Sequence, residues 1–62
     1  MTFRISINMD NAAFEQQGAE VSRILQEVRN VCCQFESGIE RMNGYKLLDV
    51  NGNTVGIVVV EE

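Results

Sequence analysis

The chain has no histidine and no proline, and its only two cysteines are neighbours. Without histidine there is no Ser-His or Cys-His pair to activate a nucleophile. Cys32 and Cys33 diverge by about 100° around a helix axis, which is poor geometry for a bridge between them. With no second cysteine pair and no imidazole, a structural zinc site cannot be completed. No cofactor and no metal is therefore expected. Reduced thiols fit a cytosolic protein. No cationic start runs into an apolar stretch, and no apolar run approaches a membrane span, so neither a signal peptide nor a membrane segment is expected. The absence of proline, with 45% hydrophobic residues, speaks against a disordered tail.

Basic residues are scarce as well: five against nine acidic ones, a formal charge of −4. That balance argues against a phosphate-binding surface. Arg4, Arg23, Arg29, Arg41 and Lys46 do not cluster, and Phe3 and Tyr45 are the only strand aromatics, so no stacking platform for bases is evident. The acidity is too mild and too dispersed for a mimic of DNA. Cys33 is the only candidate nucleophile, and it lies in the C-terminal half of a helix, whose dipole disfavours an anion. No enzymatic activity is expected.

What the sequence does contain is one long amphipathic segment, Ala19 to Ser37. Val21, Ile24, Leu25, Val28, Cys32 and Phe35 recur at three- and four-residue steps and form one stripe of a helix. Glu20, Arg23, Glu27, Asn30 and Gln34 fall on the opposite side. Ser37-Gly38 supplies a stop signal.

The remainder reads as sheet. Thr2 to Asn8 alternates, with Phe3, Ile5 and Ile7 on one side and Arg4, Ser6 and Asn8 on the other, the pattern of a half-buried strand. Asp10 is placed to cap a short helical turn, with Met9 and Phe14 as its hydrophobic staple. Gly38 to Gly44 is a loop in which Ile39 and Met42 plug the end of the core. Tyr45 to Val50 and Thr54 to Val60 are two apolar runs joined through Asn51-Gly52, a strong hairpin signal because both residues tolerate positive φ.

The order strand, helix, strand, strand predicts a single α+β domain over residues 1–62. Its expected architecture is β-α-β-β: a three-stranded antiparallel sheet in order 1-3-2, with one helix packed on one face. A two-residue turn sets Leu48 opposite Val55. Leu48, Val50, Val55, Ile57 and Val59 then share a face with Phe3, Ile5 and Ile7, and that face is expected beneath the helix, with Lys46 reaching water from its end. Tyr45, Leu47, Val58 and Val60 fall on the other, uncovered face. A three-residue loop would swap part of this assignment. A bare apolar patch of that kind is expected to be an interface; the alternative is the ordinary exposure of a valine or two on a sheet. So small a domain also has a weak core and needs reinforcement. A homodimer is therefore expected, packing sheet on sheet or joining edge strands.

The segments FRISINMDNAAF, EVSRIL and LLDVNGNTVG resemble a group of very short proteins encoded in bacteriophages and prophages. The shared pattern is a strand, then Asp10 to Phe14, then Glu20-Val21-x-Arg23-Ile24-Leu25, then the Asn51-Gly52-Asn53-x-Val55-Gly56 hairpin. It spans Phe3 to Gly56. The resemblance implies a setting, the cytoplasm of an infected or lysogenic bacterium, rather than a chemistry. The expected function is that of an accessory protein, a dimerising module that binds a host or phage protein; the alternative is a nucleic-acid-associated regulator.

Overall fold

A computed structural model describes residues 1–62. Three strands, β1 (Thr2–Ile7), β2 (Lys46–Leu48) and β3 (Thr54–Glu61), form one sheet in the order β1-β3-β2. Both pairings with the central β3 are antiparallel. One α-helix, α1 (Gln17–Cys32), lies between β1 and β2 in the chain. The expected α+β architecture is therefore the observed one. β3 is central because it is the longest and most apolar strand, and its valines suit a surface buried on the helix side.

Short 3-10 turns precede and follow the helix, at Ala12–Phe14 and Ile39–Met42. The first is capped by Asn11, whose side chain accepts from Ala13 N at 2.9 Å, rather than by Asp10. Phe14 enters the core, but Met9 stays in solvent, so no staple forms. The helix runs through Gly18 and ends at Cys32, five residues before the expected stop at Ser37. Ile24 and Val28 are fully inside; Val21, Cys32 and Phe35 are half-buried, and Leu25 is exposed. The core comprises Phe14, Ile24, Val28, Met42, Leu47, Val55, Val58 and Val60.

The hairpin departs from a two-residue turn. Asp49 N donates to Asn53 O at 2.9 Å and Gly52 N to Asp49 O at 3.0 Å, so the loop holds three residues, Val50 to Gly52. Gly52 takes a φ of +84° there, the left-handed conformation that such loops require. The register then shifts by one between Leu48, opposite Thr54, and Leu47, opposite Gly56. That bulge restores the phase beyond it and turns Val55 inward, where it is buried.

Candidate functional site

Residues directly opposite in an antiparallel sheet point to the same side. Phe3 faces Val60, Ile5 faces Val58, and Ile7 faces Gly56, which also faces Leu47. The apolar side of β1 thus joins Leu47, Val58 and Val60. Leu47 and Val58 are fully buried and Val60 nearly so, in one core cluster with Ile24 and Val28 of the helix. Tyr45 packs against the same core, half-buried, and its hydroxyl donates to Glu27 Oε1 at 3.3 Å. Burial, then the neighbouring Glu27 carboxylate, raises the tyrosine pKa above its ordinary value.

This corrects the expected interface. Tyr45, Leu47, Val58 and Val60 do share a face, but it is the face the helix covers, so they form no free patch. The uncovered face carries Thr2, Arg4, Ser6, Lys46, Leu48, Ile57, Val59 and Glu61. It is mixed in character, with the Arg4–Glu61 ion pair at 3.0 Å crossing it.

What the structure leaves unsatisfied is an edge. Asn8 N donates to Val55 O at 2.7 Å, which fixes the phase of the β1–β3 ladder. Antiparallel strands direct alternate residues toward the partner. Thr2, Arg4, Ser6 and Asn8 therefore bond to β3, and the N–H and C=O groups of Phe3, Ile5 and Ile7 point away from it. No strand, loop or side chain bonds to them. Phe3 and Ile5 are each 38% exposed, although both lie on the helix-covered side of the sheet.

The opposite edge is shorter and partly capped. β2 has only three residues and a bulge, and the guanidinium of Arg23 donates through Nη2 to Leu48 O at 2.8 Å. Beyond β2, the loop covers β3: Val58 N donates to Tyr45 O, Gly44 N to Val58 O, and Val60 N to the Asn43 side chain at 3.0 Å. Short length, a bulge and a covering group are the usual protections of a sheet edge. β1 has none of them: it runs six residues with an unbroken register, without proline or lysine.

A polar network anchors the hairpin to the helix. Glu20, expected on the solvent side, is buried at 7% exposure. Its carboxylate accepts from Arg23 Nε and Nη2, each at 3.0 Å, and from Val50 N at 2.9 Å. Asp49, 4% exposed, accepts from the backbone of Asn51 and Asn53 and from the side chains of Asn53 and Asn11. The Arg23 hydrogen bond is the main cause of a lowered Glu20 pKa, and Glu20 in turn raises that of Arg23. For Asp49, burial pushes the pKa upward, but the hydrogen bonds from Asn53, Asn51 and Asn11 together outweigh it and leave the group below the ordinary range. An open groove lies beside this network, lined by Ala12, Ala13, Gln16, Ala19 and Val50. Every buried polar side-chain atom already has a partner, and no three acidic or thiol groups converge as a metal site. The network is a brace.

Cys32 is half-buried with Sγ 3.4 Å from Met42 Sδ, a packing contact; Cys33 is exposed. No helix is long and apolar enough to cross a membrane. Comparison of the chain with protein-family models, with curated proteins and with solved structures finds no match.

Proposed function

We propose that the chain is a small protein-binding module, an accessory protein of the phage or prophage type acting in the bacterial cytoplasm, and that it engages partners by taking an added strand along β1. The observation that carries this reading is the inequality of the two sheet edges. One is short, bulged and capped by Arg23; the other presents three consecutive outward N–H and C=O pairs beside half-exposed Phe3 and Ile5. Strand addition draws affinity from main-chain hydrogen bonds and selectivity from alternate side chains. β1 supplies both.

The test is amide hydrogen exchange with a synthetic peptide of alternating valine and threonine. Exchange should slow at Phe3, Ile5 and Ile7 and stay unchanged at Leu48. The variant Ile5→Pro should abolish the protection, because it deletes the outward N–H at the centre of the edge while the β3-facing bonds of Arg4 and Ser6 stay intact. The measurement is made on samples dilute enough that these amides exchange freely before peptide is added; exchange that is then unaltered at all three, at saturating peptide, would sink the reading.

A further inference from the structure

The free edge has a phase, a length and a side-chain pattern, and these restrict what can pair with it. The incoming strand must offer its N–H and C=O groups to Phe3, Ile5 and Ile7. It must also place apolar side chains on the helix side of the sheet and polar ones on the other. β1 has both properties: the residues with outward backbone groups are its apolar residues.

Resting on the strand-addition reading, we infer that the occupant is a second copy of this chain, with β1 antiparallel to β1 about a two-fold axis through Ile5. Ile5 then faces Ile5 of the other copy, Phe3 faces Ile7, and Arg4 faces Ser6. All three outward pairs meet in hydrogen-bonding phase, and the apolar side chains align on the helix side. A shift of two residues toward the N-terminus sets Arg4 opposite Arg4, a destabilising like-charge pair in the narrow, non-hydrogen-bonded position. A shift of two the other way leaves Phe3 opposite Met9, beyond the end of the strand. A shift of one sets apolar side chains opposite polar ones and turns a strand over. The Ile5-centred register keeps the most pairs without conflict. It joins two three-stranded sheets into one of six strands, with both helices on the same side, and covers the exposed parts of Phe3 and Ile5.

Sedimentation equilibrium of the wild-type chain should give twice the chain mass. Two single-cysteine variants, Ile5→Cys and Phe3→Cys, in a Cys32→Ala/Cys33→Ser background, locate the axis. Mild oxidation should link Ile5→Cys to itself, because directly opposed Cα atoms lie about 5.5 Å apart, within disulfide range. Phe3→Cys should stay unlinked. A dimer that links through Phe3→Cys and not through Ile5→Cys overturns the register. A single-chain mass at concentrations up to about 1 mM overturns the second copy as occupant. If the valine–threonine peptide still protects β1 in that case, strand addition stands and only its partner changes; if it does not, both fail.

Discussion

Asn11 and Asp49 are 38 residues apart, yet Asn11 Nδ2 donates to Asp49 Oδ2 at 2.8 Å. The same asparagine accepts from Ala13 N, so one side chain caps the first turn and fastens it to the hairpin. Asp49 completes the joint by gathering the loop amides of Asn51 and Asn53. Asp49→Asn places an amide nitrogen against the donating amides of Asn11 and Asn53. The melting temperature should fall by roughly 5–10 °C, read by circular dichroism.

Acid should act through the same brace. Glu20 and Asp49 both have folded-state pKa values below their ordinary ones. A carboxylate with a depressed folded pKa binds fewer protons folded than unfolded, so its contribution is complete above the unfolded value and is lost as pH falls through the folded one. Stability should hold from neutral pH down to about 5, then decline below the unfolded carboxylate values of about 3.9 and 4.3. Urea midpoints across pH 2–7 measure this, and Asp49→Asn should flatten part of the decline. A stability that rises toward acid would contradict the assignment.

Adjacent leucines give the sharpest check on which face is inside. Leu47 is fully buried, whereas Leu48 is 41% exposed on the other side of β2. Leu47→Ala should lose about 2–5 kcal/mol in urea titration. Leu48→Ala should lose under about 1 kcal/mol. The opposite ranking would restore the face assignment that the structure corrects.

Two glycines should respond with opposite sign. A Cβ at Gly56 would meet Ser6 O at 2.1 Å and Ile7 Cα at 3.2 Å, all backbone of β1 that cannot yield without parting from β3. Gly56→Ala should destabilise by about 3 kcal/mol or more. At Gly18, inside the helix, a Cβ meets nothing within 4 Å. Gly18→Ala should stabilise by about 0.5 kcal/mol through the lost freedom of the unfolded chain. Thermal melts of both variants decide the matter.

The helix and strands were legible in local periodicity, the hairpin in Asn51-Gly52 and the strand order in the apolarity of the last strand; the length of the hairpin loop was not. The grouping of Tyr45, Leu47, Val58 and Val60 on one face was legible too. What escaped was the side on which β1 joins them, because the β1–β3 register depends on contacts between residues about fifty positions apart. Lys46 carried a usable signal: a face holding a lysine is the poorer choice for burial than one holding Leu47, Val58 and Val60. Glu20 misled for another reason. Its polarity fits the solvent side of a helix, and its burial is made tolerable by Arg23 one turn on and by the distant Val50 N, which the sequence does not bring to it. The open edge needed no new motif, since the proposed order already placed β1 and β2 outermost; it needed the two to be weighed against each other.

The asymmetry between a capped β2 and a bare β1 also bounds how far assembly can go. If β1 pairs with β1 as proposed, the single open rim is used up at the pair, and growth would stop there. In such a dimer, a second contact made through β2 would be needed to extend the pair into a ribbon. The three-residue length of β2, its bulge and the Arg23 cap together stand against that second contact.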